Sequence, residues 1–111
     1  MEILFANARI EKICSDDRVA HKVLGKIGAK FLHKQIEAIR QVANLEMLRF
    51  YPGHYHELIG NRWGQLAVSL GGRSRLIFEP GTLPRPEKPD GGLDWSKVTA
   101  VEIIEITDYH D

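Results

Sequence analysis

Hydrophobic positions change their spacing along the chain, and the change separates a helical first part from a strand-rich second part. The stretch after position 27 places apolar residues four, three and four positions apart, at Leu32, Ile36, Ile39 and Ala43. This spacing is typical of one face of an α-helix. After Pro52-Gly53 the apolar residues alternate with polar ones instead, which indicates strands.

Capping signals precede the helical part. Asn7 predicts the start of a brief helix, and Ser15-Asp16-Asp17 offers a second cap with acidic residues in the first turn. Gly25 marks a stop or a bend. The pattern therefore predicts two helices, broken near Gly25 and Gly28 and packed against each other as a hairpin.

Short apolar or alternating runs predict strands at residues 2–6, 55–59, 65–70, 73–79 and 98–106. Gly71-Gly72 has the character of a two-residue hairpin turn. The predicted fold class is α+β, with the two N-terminal helices packed on a mainly antiparallel β-sheet in the order β-α-α-β-β-β.

Residues 80–97 interrupt this pattern with four of the five prolines and three glycines. The segment has no apolar periodicity, so we expect a surface loop that is long enough to have a function of its own. The chain as a whole, residues 1–111, is expected to form a single domain that carries this Pro/Gly-rich loop.

Composition narrows the class of protein without assigning an activity. A hydrophobic share of 43% excludes wholesale disorder, and the apolar stretches are too short for a membrane helix. The start of the chain lacks the features of a secretory signal, and the single cysteine, Cys14, cannot form an internal disulfide. These features favour a protein of the reducing cytoplasm.

The net charge of zero hides an uneven distribution. Residues 1–78 contain 12 Lys and Arg against 7 Asp and Glu, whereas residues 79–111 contain 3 against 8. A positive body with an acidic end suits an anionic partner only weakly, because dedicated nucleic-acid-binding proteins are usually basic overall.

Histidines and their neighbours are the candidates for chemistry. The group His54-Tyr55-His56 stands at the entry to the second predicted strand, and Asp108-Tyr109-His110 follows the last one. If these two strands lie near each other, two imidazoles, a phenol and a carboxylate gather at one end of the sheet. The His-x-His pair has no third and fourth ligand at a fixed spacing, so the sequence predicts no metal site and no cofactor.

Arg73 and Arg75 are two positions apart, which places them on one face of a strand, opposite Leu76 and Phe78. Guanidinium groups in this position can bind a phosphate in bidentate fashion. Simpler structural roles are the alternative interpretation of these features. In that interpretation the terminal triplet is a frayed tail, and Trp63 and Trp95 cover a core, which tryptophans do more often than they stack on bases.

Three motifs, in order, resemble HigB-type toxins of the RelE/ParE superfamily. Within residues 52–65, Pro-Gly followed by Leu-Ile-Gly-Asn-Arg-Trp-Gly is similar to their Pro-Gly and Leu-x-Gly-Asp/Asn-Arg-x-Gly. Arg75-Leu76-Ile77-Phe78 resembles the Arg-Ile-x-Phe that follows in those proteins. The ending Asp108-Tyr109-His110 matches their closing Asp-Tyr-His.

The resemblance implies a RelE-like fold and the toxin of a type II toxin–antitoxin system, a ribosome-dependent endonuclease that cuts mRNA without a metal. It implies as partners the ribosome, mRNA and a cognate helix-turn-helix antitoxin, with DNA contacted only through that antitoxin and no membrane. Residues 80–97 are long enough to receive the antitoxin.

Carried over by motif, the implied catalytic residues are His56, Arg75, Asp108, Tyr109 and His110. Arg62 and Arg73 are the expected RNA- and phosphate-binding residues. Imidazoles serve as base or acid near neutral pH, and the sequence does not assign these two roles between His56 and His110. The guanidinium of Arg75 would stabilise the charged phosphorane. The carboxylate of Asp108 would orient His110, and Tyr109 would stack on or hydrogen-bond the RNA.

Two alternatives remain open at the level of sequence. The same superfamily includes ParE-like proteins that inhibit DNA gyrase without RNA chemistry, although an Asp-Tyr-His ending is a feature of the nucleases. A catalytically inactive module that only binds its antitoxin for autoregulation is the other.

Overall fold

The computed structural model describes residues 1–107, and within that range helices cover one face of a mixed β-sheet. The strands are β1 (Glu2–Phe5), β2 (His56–Glu57), β3 (Leu66–Ser69), β4 (Arg75–Pro80) and β5 (Ala100–Thr107). The α-helices are α1 (Ala8–Ser15) and α2 (Asp17–Gln41), and short 3₁₀ helices lie at Leu45–Leu48, Gly60–Arg62 and Trp95–Lys97. The α+β fold class is therefore confirmed.

The strands of this sheet follow the spatial order β1-β5-β4-β3-β2. The strands β1 and β5 are parallel and all other neighbours are antiparallel, as predicted for a mainly antiparallel sheet. The described part holds five strands, one more than the order β-α-α-β-β-β. The strand predicted at residues 55–59 is present but is only the two-residue strand β2. A 3₁₀ turn that begins at Gly60 ends the pairing soon after Leu58.

Both predicted helix caps are present. The side chain of Asn7 accepts a hydrogen bond from the Ile10 amide at 2.9 Å, which satisfies one of the free N–H groups at the start of α1. The carboxylate of Asp16 does the same for α2, where it accepts from the Arg18 amide at 3.0 Å. The carboxylate also lies at the positive end of the helix dipole.

Gly25 reverses the direction of α2, as the sequence predicts. Its φ of 77° and ψ of 176° are far from helical values. In a straight helix Ala20 and Leu32 would be separated by about 18 Å along the axis. Instead they line the same surface cavity together with Ile13, so the segments on either side of Gly25 fold back as a hairpin. Neither helix of residues 1–107 is long and apolar enough to cross a membrane.

The hydrophobic core lies between these helices and the inner face of the sheet. It includes Leu32, Ile36 and Ile39 from α2 and, from the strands, Leu66, Val68, Leu76, Phe78 and Ile103. The prediction that Ala43 continues the helical stripe is wrong, because α2 ends at Gln41 and Ala43 is exposed. Val42, the C-cap residue, is buried instead.

The turn between β3 and β4 is longer than the predicted two-residue hairpin. The Leu70 amide donates to the Ser74 carbonyl at 2.9 Å, so the loop comprises the three residues 71–73. The strand β4 begins at Arg75 rather than at Arg73, because Arg73 is the third residue of this loop.

Residues 80–97 are only partly a surface loop. Their backbone is tied together by a bridge between Glu87 and Leu93, and the side chains of Leu93 and Trp95 are buried in the hydrophobic core. The indole Nε1 of Trp95 donates to Glu57 Oε2 at 3.0 Å, which links the segment to β2. Because the segment has no apolar periodicity, the sequence did not predict the burial of Leu93 and Trp95.

Candidate functional site

The face of the sheet opposite the helices, which we call the outer face, carries the residues that the motifs point to. Directly opposed residues on paired strands share a face. His56 pairs with Ala67, Ala67 with Ile77, and Ile77 with Glu105, so one row crosses the sheet from β2 to β5. On β4 the neighbours of Ile77, Leu76 and Phe78, point into the core between sheet and helices. Because side chains alternate along a strand, Ile77 and its row point to the outer face.

A second row lies beside the first and contains Ser69, Arg75 and Thr107. Arg75 and Ile77 are two residues apart on β4, so their side chains leave the sheet on the same side. The backbone of Arg75 is fixed to the end of β5, because its amide donates to Thr107 Oγ1 at 3.0 Å. Arg75 and His56 thus share the outer face, with Cα positions about 12 Å apart as judged from strand and residue spacings.

A β-bulge in β5 makes this arrangement possible. Phe78 pairs with Ile103 but Ile77 pairs with Glu105, so Ile104 is an extra residue without an opposite partner on β4. If Ile104 were paired as in a regular strand, strict alternation from the inward-facing Ile103 would turn Glu105 and Thr107 toward the helices. Bulges of this kind redirect side chains and are frequent near active sites.

The ring of His56 is held in a defined tautomer. Its Nδ1 lies 2.8 Å from the backbone carbonyl oxygen of His54. A carbonyl oxygen can only accept, so Nδ1 carries the proton in the neutral ring and Nε2 holds the lone pair. The ring also stacks on the ring of His54, with centroids 4.2 Å apart and planes at 13°.

The segment that carries these rings is shaped by a buried contact with α2. Gly53 has a φ of 112°, and a Cβ there would lie 2.6 Å from Gln35 Nε2 and 2.7 Å from Val68 Cγ2, so only glycine fits. Gln35 is buried and accepts a hydrogen bond from the Tyr55 hydroxyl at 2.6 Å. Burial also raises the pKa of Tyr55, so this phenol remains protonated near neutral pH.

His54 is unusual in this segment, because it is a non-glycine residue with a φ of 59°. Histidine tolerates the left-handed region better than most residues. Such conformations are uncommon overall, and those that occur are concentrated at functional sites. The sequence signal was the His-x-His spacing, which pointed to His56 but did not reveal that His54 supplies both the carbonyl and the stacked ring.

The guanidinium of Arg75 is fixed by the β3–β4 turn. Its Nη1 donates to the carbonyl oxygens of Gly72 at 3.0 Å and Ser74 at 2.9 Å. These bonds hold the positive charge in place through one nitrogen and do not involve the edge formed by Nε and Nη2. A guanidinium binds a phosphate in bidentate fashion through such an edge.

Arg62, in the segment that joins β2 to β3, forms an ion pair through its Nη2 with Glu105 on the outer face. Glu105 lies on β5, at the far end of the row from β2. Ala67 and Ile77 in that row are buried although they are not part of the helix-side core. Arg62 Nε and Gln65 Oε1 are buried without a hydrogen-bond partner in residues 1–107. Such unsatisfied groups are rare in native proteins and mark a site worth attention.

Arg73 does not share a strand face with Arg75, contrary to the prediction. It lies in the three-residue turn and is exposed, so the two-residue period of a strand does not apply to it. Arg73 makes an interaction of its own within the structure.

The two strands that carry the predicted histidines are not neighbours. β3 and β4 lie between β2 and β5, so the ends of those strands are about 14 Å apart. Asp108, Tyr109 and His110 lie outside the described residues. For residues 1–107, no three His, Cys, Asp or Glu side chains are placed to share a metal ion.

Comparisons with known proteins bear on the fold of this chain. No protein-family profile and no curated protein sequence matches the chain. Among solved structures, the chain is similar to a YoeB/ParE toxin from Agrobacterium tumefaciens, with a TM-score of 0.56 over 99% of this chain and 100% of that chain. Sequence identity is only 10%, so the likeness concerns the fold alone. The helical hairpin on a mixed five-stranded sheet within residues 1–107 therefore gives this chain the α+β fold of the RelE/ParE-like toxins.

Proposed function

We propose that this chain is the toxin of a type II toxin–antitoxin system, a HigB-type endonuclease that cleaves mRNA on the ribosome. The RelE/ParE-like fold supports the toxin class, and the ordered motifs around His56, Arg75 and the terminal Asp-Tyr-His support the nuclease branch. The implied partner is a helix-turn-helix antitoxin that binds the toxin and neutralises it.

The observation that carries the proposal is the position of His56 and Arg75 on one face of the sheet. Metal-free cleavage of RNA needs a base near the 2′-hydroxyl and a cation near the phosphate. The imidazole and the guanidinium are both long enough to converge on a nucleotide laid across the outer face. Thr107, which pairs with Arg75, leads directly into the sequence Asp-Tyr-His.

In the proposed reaction, the lone pair on Nε2 of His56 accepts the proton of the 2′-hydroxyl. The 2′-oxygen then attacks the adjacent phosphorus, and the bond from phosphorus to the 5′-oxygen breaks. The products are a 2′,3′-cyclic phosphate and a 5′-hydroxyl. The hydrogen bond from Nδ1 to the His54 carbonyl supports the role of His56 as base, because it leaves Nε2 unprotonated in the neutral ring.

His110 is the proposed acid that protonates the leaving 5′-oxygen. Three peptide units separate it from Thr107, so the chain keeps it within about 11 Å of the residue that pairs with Arg75. Arg75 stabilises the negative charge that develops on the phosphorane. Asp108 is proposed to orient His110, and Tyr109 to contact the RNA. Arg62 and Arg73 are proposed to bind neighbouring phosphates, and Arg62 would have to leave Glu105 to do so.

The experiment is a translation reaction with purified ribosomes, in which cut sites in the mRNA are mapped by primer extension. Wild-type protein is expected to cleave. His56→Ala and His110→Ala should each slow cleavage by about 10²- to 10⁴-fold, the usual contribution of an acid–base group. The matched control is His33→Ala, on the exposed side of α2, which should leave the rate unchanged.

Intact mRNA in the presence of wild-type protein that binds ribosomes would refute the nuclease proposal. The similar solved structure is described as a YoeB/ParE toxin, so a ParE-like gyrase inhibitor is the second candidate. Expression of such a protein would cause DNA damage without loss of transcripts, and deletion of residues 108–111 would not abolish its effect. If expression causes neither DNA damage nor loss of transcripts, with or without residues 108–111, the inactive antitoxin-binding module is favoured.

A further inference from the structure

Trp63 is a large aromatic residue that lies exposed beside the outer face. It is 71% exposed, whereas Trp95 is 4% exposed. The expectation that both tryptophans cover a core therefore holds for Trp95 only. Trp63 follows the 3₁₀ helix Gly60–Arg62, which connects β2 to β3.

One side of the Trp63 ring is occupied by a cation. The guanidinium carbon of Arg85 lies 5.4 Å from the ring centroid, within the range of a cation–π interaction. Arg85 is itself held in place, because its Nη1 donates to the Gly64 carbonyl oxygen at 3.3 Å. The ring is thus fixed from one side while most of its surface remains in water.

Trp63 also adjoins the proposed reaction site. The neighbouring residue Arg62 pairs with Glu105 on the outer face, in the row that begins at His56. The two buried polar atoms that lack partners in residues 1–107 belong to Arg62 and Gln65, on either side of this tryptophan. The segment therefore combines a supported aromatic plane, positive charges and unsatisfied polar groups.

We propose that Trp63, supported by Arg85, is a stacking platform for a nucleobase of the single-stranded RNA substrate. This inference rests on the proposed function and adds a subsite to it. Bases present a flat π-face to an aromatic ring, and the backbone of the same strand presents phosphates to nearby arginines. The positive charge of Arg85 beside the ring complements a polyanion, so RNA is favoured as the occupant over an apolar segment of a protein.

The test measures binding of a short, uridine-rich single-stranded RNA with 2′-O-methyl groups, which cannot be cleaved through the 2′-oxygen. Trp63 is the exposed one of the two tryptophans, so stacking should quench the exposed part of the protein fluorescence. By anisotropy of the labelled RNA, Trp63→Ala should weaken binding about 5- to 150-fold, the range of base–aromatic stacking at one site.

Two further variants separate stacking from apolar docking. Trp63→Phe keeps a π-face and should retain part of the affinity, whereas Trp63→Leu keeps an apolar side chain and should bind as weakly as Trp63→Ala. Ile27→Ala removes a side chain of similar exposure, 69%, from the helix layer and should not change binding. Thermal unfolding of each variant checks that the fold is retained.

The outcomes are distinguishable. Absence of quenching, or equal affinity of Trp63→Ala and wild type for the RNA, would overturn the platform even if the protein cleaves mRNA on ribosomes. Quenching together with loss of affinity in Trp63→Ala and Trp63→Leu would support it even if no cleavage occurs. Equal affinity of Trp63→Leu and wild type would overturn stacking in favour of an apolar contact.

Discussion

Cys14 illustrates at the residue scale how packing decides the chemistry of a side chain. It lies in α1, half-buried, and lines the cavity between α1 and the hairpin of α2. Burial raises the pKa of its thiol to about 11, and the smaller effect of the Arg40 guanidinium lowers it. The thiolate is the reactive form of cysteine, so this residue is expected to be inert in the folded protein.

We predict that iodoacetamide alkylates Cys14 about 100-fold more slowly in the native protein than in urea at pH 8, because two pKa units separate a thiol at about 11 from the ordinary value of 9.0. Between pH 9.0 and about pH 11, the pKa values of the unfolded and the folded thiol, the folded thiol stays protonated while the unfolded one ionises. The free energy of unfolding should therefore fall as pH rises through this window, and by less in Cys14→Ala. Equal alkylation rates in the two states would contradict this account.

The candidate site shows how far single residues could be predicted from sequence. Motif and strand period singled out His56 and Arg75, and both lie on the outer face, while their catalytic roles stay a prediction. The role of His54 did not follow, because its φ of 59° depends on the neighbouring Gly53 and on the contact of that glycine with α2. Arg73 was assigned to a strand because a third loop residue cannot be inferred from Gly-Gly alone.

At the scale of elements, Gly25 divides α2 through its backbone alone. Its φ of 77° and ψ of 176° lie in a region that is almost restricted to glycine. A Cβ at this position would meet no atom within 4 Å. Any effect of a substitution therefore reports backbone strain rather than a steric clash with another side chain.

We predict that Gly25→Ala lowers the free energy of unfolding by about 1–3 kcal/mol, the usual cost of a strained backbone conformation. The measurement is urea denaturation followed by circular dichroism. Lys26→Ala, at the next exposed position, serves as control and should change stability by less than about 0.5 kcal/mol. If Gly25→Ala is as stable as the control, the hairpin does not depend on this conformation.

Elements defined by local signals were predicted well. The caps at Asn7 and Asp16 and the bend at Gly25 depend on residues close in sequence, and all three are present. The ends of strands depend on partners far along the chain, and here the predictions for residues 55–59 and 73–79 were too long at one or both ends. The parallel pairing of β1 with β5, across about 100 residues, had no local signal at all.

At the scale of the whole molecule, the Pro/Gly-rich segment is part of the structural framework. The guanidinium of Arg49 lies 4.1 Å from the centroid of the Trp95 ring, and the indole nitrogen binds Glu57. Trp95 thereby connects residues 80–97 both to the turn that follows α2 and to β2. A loop with this anchor is expected to contribute to the stability of the entire fold.

We predict that Trp95→Ala lowers the free energy of unfolding by about 3–5 kcal/mol, the range for removal of a large aromatic side chain from a core. Urea denaturation monitored by circular dichroism gives this value. Leu83→Ala, in the same segment, is the matched control, because Leu83 is 86% exposed and its removal should cost less than about 0.5 kcal/mol. Similar stability of the two variants would mean that the segment is not anchored through Trp95.

The extra residue in β5 also bears on how relatives of this chain should be compared with it. Every position after Ile104 faces the opposite way from what a regular strand would give. A pairwise alignment that lacks a one-residue gap there would match inward positions of one protein with outward positions of another. Equivalences drawn for the C-terminal end of the chain are therefore meaningful only after the strands have been superposed in space.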